Sequence, residues 1–282
     1  MKITLLTNEQ VFYDERLKVF GKYGNESVIT DFAILLGGFV SPIYHDNEGK
    51  CIGFWWTKSS YEGKVEIIYK FSDKLRISSK SCEGGVRPAF NYSDISKNIR
   101  NLPNENNYIL EIEYGEYPQY IVSEKLSNEL ETKYINKEIN ITNKKYVISS
   151  KKSYIEYEYE GKKYIRFISN KKLSNEKTIG EYRTYWIEVS LIKWLVDVEK
   201  DIAISKNILL SGIPFDTKRR YDGIFEETFM YKYLNNVFIK DIQVSKEIEI
   251  SVIEEKSKRE LALEKLEEDK QKILNLKKNL RK

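Results

Sequence analysis

Hydrophobic and polar positions alternate over short stretches for most of this chain, and the period changes often enough to predict a mixed set of elements. Residues 3–6 read as an apolar, strand-like start that runs into Asn8-Glu9-Gln10, and residues 14–20 as a short helix ended near Gly21. Residues 29–40 are largely apolar around Gly37-Gly38, which predicts a buried segment broken by a turn. An aromatic strand follows at residues 53–59, then short strands at 66–71 and 74–78 around Ser72-Asp73. Gly84-Gly85 permits close backbone approach, and Pro88 limits strand pairing just after it. Residues 91–107 are polar, with Pro103 and several asparagines, and read as the best internal linker.

The second half opens with a strand at 108–114 and a turn-like Gly115-Glu116-Tyr117-Pro118-Gln119. Leu126, Leu130 and Tyr134 fall on one face of a helix over 123–134. A hairpin is predicted next. Ile155, Tyr157 and Tyr159 alternate with Glu156 and Glu158, Glu160-Gly161 turns, and Ile165 and Phe167 alternate with Arg166 on the return. Residues 186–189 and 192–196 read as strands, 197–201 as a charged turn into 202–205, and 226–240 as a helix with Met230, Leu234 and Phe238 on one side. From residue 224 onward there is no glycine or proline, and the composition favours a long helix over 242–282. Leu266, Ile273 and Leu280 recur every seven residues. The companion position reads Leu263, Lys270, Lys277, a seam only half apolar that leaves open docking, coiled-coil oligomerisation or a single solvated helix. The expected class is α+β, with many short strands, flanking helices and the C-terminal helix.

Length and charge narrow the picture. The 282 residues suffice for one large domain or two modest ones with a sizeable core, and 41% hydrophobic residues argue for folding. Charged residues are abundant, but 47 Lys+Arg against 43 Asp+Glu leave only +4, not the excess of a dedicated nucleic-acid binder. The one histidine, His45, and the two cysteines, Cys51 and Cys82, cannot build His-rich metal sites or paired Cys-x-x-Cys zinc sites. His45 reads as a solvent-facing loop histidine beside Asp46, with base or ligand as its sharper alternative. The cysteines read as free thiols. No signal peptide is recognisable and no stretch is apolar enough for a span, so the expected setting is cytoplasmic or virion, without membrane.

Several phrases together resemble a bacterial and phage module of the C-type-lectin-like fold, in the branch that includes formylglycine-generating-enzyme-like domains. The pieces are Leu5-Leu6-Thr7-Asn8-Glu9-Gln10, Gly53-Phe54-Trp55-Trp56-Thr57-Lys58-Ser59 and Gly84-Gly85-Val86-Arg87-Pro88-Ala89-Phe90, which resemble the module's closing motifs. Gly115–Gln119, Ile192-Lys193-Trp194, Ile204-Ser205-Lys206 and Tyr233-Leu234-Asn235-Asn236-Val237-Phe238 resemble its opening ones. Their order is exchanged. The resemblance therefore implies a circular permutation of one domain over 1–241, halves 1–90 and 108–241, with the joint at 91–107. It predicts that strand 109–114 pairs near 86–90 in one sheet. The cysteine, histidine and calcium motifs of catalytic or sugar-binding relatives do not occur here, so the resemblance implies a binding scaffold without catalytic residues, metal or cofactor.

The binding candidates follow from these readings. Of Trp55 and Trp56, one is expected in the core and the other exposed for stacking. Arg87 reads as an anion grip or a buried structural group, and Tyr157 and Tyr159 as a recognition surface or plain sheet packing. Lys218, Arg219 and Arg220, before Tyr221, form a basic loop that fits phosphate or is simply solvated. The expected function is a non-enzymatic binding protein of phage or mobile-element type that acts by protein–protein contact, for instance inhibiting a host defence complex. Alternatives are a virion or glycan-recognition adhesin, or a nucleic-acid binder using the basic loop and tail, directly or through a ribonucleoprotein partner.

Overall fold

The computed structural model describes residues 1–13, 28–45, 51–68, 76–78, 84–96, 108–149, 152–171, 173, 182–198, 200–216, 221–242 and 249–255. The helix expected at 14–20, Cys82, the loop Lys218–Arg220 and residues 256–282 lie outside these. Thr30 caps α1 (Asp31–Leu35) by accepting from the Ala33 amide, and β1 (Val40–His45) pairs with β2 (Cys51–Gly53). Strands β3 (Trp55–Tyr61), β4 (Lys64–Ile68) and β5 (Arg76–Ser78) form a small antiparallel sheet. After β6 (Ala89–Phe90) and α2 (Ser93–Ser96) come β7 (Tyr108–Ile121), α3 (Glu124–Ile135), β8 (Asn140–Ser149), β9 (Lys152–Tyr159) and β10 (Lys162–Ser169). The chain continues through β11 (Arg183–Asp197), β12 (Ile202–Ser205), α4 (Phe229–Tyr233), a π-helical stretch Leu234–Phe238, α5 (Ile239–Ile242) and β13 (Glu249–Glu255). The class is mixed, with strands dominant and short helices.

The large sheet has the order β13-β7-β11-β10-β9-β8, with β12 beside β11 and β6 beyond β12, and every pairing in it is antiparallel. The long strand β11 carries it: one half pairs with β10 and the other with β12, while β7 runs along its opposite edge. The turn expected at 115–119 is instead a kink inside one continuous strand. The β7–β11 register slips between Leu191 and Lys193, where Gly115 takes φ +75°, and a Cβ there would meet the Ile242 carbonyl at 2.6 Å. The predicted hairpin is present, with Glu160 at φ 50° and Gly161 at φ 73° closing it as a two-residue turn.

Residues from both halves of the chain enter one hydrophobic core: Phe32, Trp55, Val86 and Phe90 pack with Ile112, Trp194, Leu234 and Phe238. Asn235 ties the chain start to α4 reciprocally. Its Nδ2 donates to the Ile3 carbonyl at 2.8 Å, and its Oδ1 accepts from the Ile3 amide at 2.9 Å. Strands β7 and β6 share the large sheet, separated by β11 and β12. On the other face of this sheet a second cluster, Leu130, Ile139, Tyr157, Tyr164 and Trp186, lies under α3.

One organisational expectation is corrected. The long helix does not begin after Asp241: residues 249–255 form β13, paired with β7 from Tyr108 to Glu113. Ile250, Val252 and Ile253 are β-branched, and the open edge of β7 offers backbone partners that outweigh helical propensity. At the start of the stretch read as the joint, residues 93–96 are helical and Tyr92 and Ile95 are buried, while residues 97–107 lie outside the described ones.

Candidate functional site

The sequence candidates divide by location. Trp55 and Trp56 are both 0% exposed, so neither is the surface stacking residue expected. β3 is covered on both sides. Trp55 faces the Arg87 guanidinium, whereas Trp56 packs on Phe215 and lies where any side chain at position 84 would sit. Arg87 is fully buried and donates to the carbonyls of Ser205 at 2.9 Å and Lys206 at 3.5 Å. Burial pulls its guanidinium down to about 9, still protonated at neutral pH. Its bonds to main chain and its place over the Trp55 ring fit the buried structural alternative. Tyr157 is buried under α3, and the Tyr159 hydroxyl donates to Glu129 of that helix, so these tyrosines hold α3 down instead of presenting a bare surface. His45 ends β1, not a loop.

What the sheet does present is the part of that same face which α3 fails to cover. Tyr134 closes the helix end, packing edge-on to Tyr157 at 5.8 Å and lying 4.6 Å from the Arg166 guanidinium. Glu131 clamps Arg166 with two bonds, at 3.0 and 2.7 Å, and also accepts from Trp186 Nε1 at 2.9 Å. Lys145 stands opposite Ile155, Val147 opposite Ser153, and Ile168 opposite Thr184. Ile155 is 43% exposed and Ile168 54%, and Ile141 on β8 is exposed as well. A solvated sheet face normally carries polar side chains, so these isoleucines are the departure that calls for a use.

The opposite face of the same strands holds a buried polar cluster. Glu156 accepts from the Tyr146 hydroxyl at 2.6 Å and from Thr142 Oγ1 at 2.9 Å. Glu116 pairs with Lys163. Lys144 Nζ donates to the main-chain carbonyl of Asp241 at 2.6 Å, and Tyr233 donates to the Val147 carbonyl at 3.1 Å. The Asp241 Oδ2 atom is buried without a donor. Burial pushes the Asp241 carboxyl up to about 7, against the pull of the Lys144 ammonium, and burial lowers Lys144. The phenols of Tyr146 and Tyr117 are driven far up, mainly by burial. Most of these groups are spent on one another and on main chain.

The sequence reading missed this cluster, although one signal was available. Asp241 lies three residues past Phe238, on the continuation of the buried Met230-Leu234-Phe238 stripe, where a carboxylate does not belong by default. Among the described residues, no group of three or more His, Cys, Asp or Glu side chains is placed to hold a metal ion, and no helix is long and apolar enough to cross a membrane. Comparison of the chain with protein-family models, with curated proteins and with solved structures gave no match in any of the three.

Proposed function

We propose that this chain is a non-enzymatic binding protein that acts through protein–protein contact, and that the uncovered β8–β9–β10 face is its contact surface. The observation that carries this reading is the exposure of Ile155 and Ile168 beside an ordered Arg166–Glu131–Trp186 clamp. Such a patch combines apolar area with rigid neighbours, which lowers the ordering cost of binding. The single histidine and the internally spent polar cluster favour binding over catalysis.

The C-type-lectin-like kinship is part of the same proposal, with a phage or mobile-element protein directed at a host complex as its concrete version. Its support is that the quoted motif pieces interlock. The Trp56 amide donates to the Gly85 carbonyl at 2.9 Å, Lys58 to Leu6 at 2.9 Å, and Ala89 to Thr4 at 2.9 Å.

The test is affinity capture from a bacterial lysate with the full chain and with the double variant Ile155→Glu/Ile168→Glu. A stoichiometric protein lost in the variant is the expected result. Undiminished capture by a variant with an unchanged circular dichroism spectrum overturns the assignment of this face. A captured protein retained at high salt but exchanged for nucleic acid at low salt would favour the nucleic-acid reading instead.

A further inference from the structure

Where α5 meets the sheet, one carboxyl stands apart from its neighbours. Glu156 and Glu116 each have strong donors, yet Asp241 Oδ2 has none, and the nearest cation, Lys144, donates to the Asp241 main-chain carbonyl. Lys144 and Tyr146 from β8, Tyr117 from β7 and Tyr233 from α4 face it, and Glu156 from β9, Lys163 from β10 and Glu116 from β7 stand behind Lys144. With all three carboxylates ionised, two ammonium groups face three negative charges. Protonation of Asp241 balances the cluster.

The position of Asp241 gives that balance a mechanical consequence. Its neighbour Ile242 rests against the Gly115 kink of β7 with no room between them, and seven residues later the chain joins the edge of β7 as β13. We propose that Asp241 is a proton-operated latch: protonated, it seats α5 and keeps β13 on the sheet, and ionised, it unseats α5 and loosens β13 from β7. The physical reason is that an ionised carboxylate without a donor is costly to keep out of water, and α5, only four residues long, is the smallest element that can move to hydrate it. Burial sets the transition near neutrality, where modest acidification or alkalinisation operates it.

The test is amide hydrogen exchange of the full chain from about pH 6 to about pH 8.5, corrected for intrinsic exchange. The wild type should lose about ten-fold protection in β13 and in those amides of residues 108–113 that face it across that range, and these amides should stay less protected than those of β9 and β10. Asp241→Asn, which keeps the shape and removes the titration, should abolish the loss. Lys144→Gln, which removes the cation that favours ionisation, should move the loss to higher pH. A wild-type profile flat with pH, an Asp241→Asn profile like the wild type, or equal protection of β13 and β9–β10 overturns the latch.

Discussion

Arg87 lies across the ring of Trp55, its Cζ 4.9 Å from the ring centroid, at a place where neither side chain reaches solvent. A guanidinium is tolerated there because main-chain carbonyls from the end of β12 and from Lys206 accept its protons while the indole face meets its cationic plane. Replacing it with Ala leaves those carbonyls and the indole without a partner. Arg87→Ala should therefore lose about 2–4 kcal/mol in urea denaturation, and Arg87→Lys should recover only part of it.

Gly84 gives a prediction of the opposite kind, an excess of matter. A Cβ at this position falls within the Trp56 indole, which is fully buried against Phe215. Gly84→Ala should cost about 1–3 kcal/mol and alter the near-ultraviolet dichroism of the tryptophans. An unchanged urea midpoint would mean that the indole moves freely, contrary to its packing.

Glu131 joins α3 to the sheet through Arg166 and Trp186. The hydrogen bonds from Arg166 come first among the causes that hold its carboxyl below the ordinary glutamate value, with the Trp186 indole assisting. A depressed acid stabilises the fold above the unfolded value of 4.5, and that stabilisation is lost as pH falls through the lowered folded value. Glu131→Gln should lower stability by about 1–2 kcal/mol at neutral pH, and the gap to wild type should narrow under strong acid in thermal melts.

For Asp241 the sign reverses. Its folded value, about 7, lies above the ordinary 3.8, so its contribution is fully present below the ordinary value and is lost as pH rises through 7. Urea denaturation of the wild type should give about 1 kcal/mol less stability at about pH 8 than at about pH 6, apart from other titrations. Asp241→Asn should remove that difference. Retention of the full difference in the variant would assign it to another group.

Strand β13 supplies a prediction that a C-terminal helix would not. A chain ending at Ile242 bares the β7 edge from Tyr108 to Glu113. Open edges pair with other chains. Such a chain should melt about 5 °C lower and self-associate on size-exclusion chromatography. Unchanged melting and a monomeric profile would show that β13 contributes little.

The legible parts of the fold are those written in local sequence. Ser123 before an apolar face at Leu126, Leu130 and Tyr134 announces α3, and Ser123 does accept from the Leu126 amide at 3.4 Å. Glu160-Gly161 between alternating runs announces the β9–β10 hairpin. What escaped depends on distant partners. β13 is a strand because β7 has a free edge, and the Gly115 kink stays within a strand because β11 runs alongside it. Trp55 and Trp56 are both buried because Arg87 covers one and Gly84 with Phe215 covers the other, which alternation within one strand does not reveal. The hairpin tyrosines lie on two of the strands that carry the proposed surface. Only the placement of α3 over Tyr157 leaves Ile155 and Ile168 as the part that faces outward.

The reciprocal bonds between Ile3 and Asn235 have a consequence for biosynthesis. The two residues are 232 positions apart, and Thr4 also closes on Ala89 far along the chain. At the ribosome, Ile3 emerges long before Asn235 exists, and nothing that emerges in between can replace that partner. Assembly of the native core therefore waits until nearly all of these strands have been synthesised, with apolar segments exposed meanwhile. In a cell, the yield of this protein should depend on chaperone supply and translation speed more steeply than its finished stability suggests.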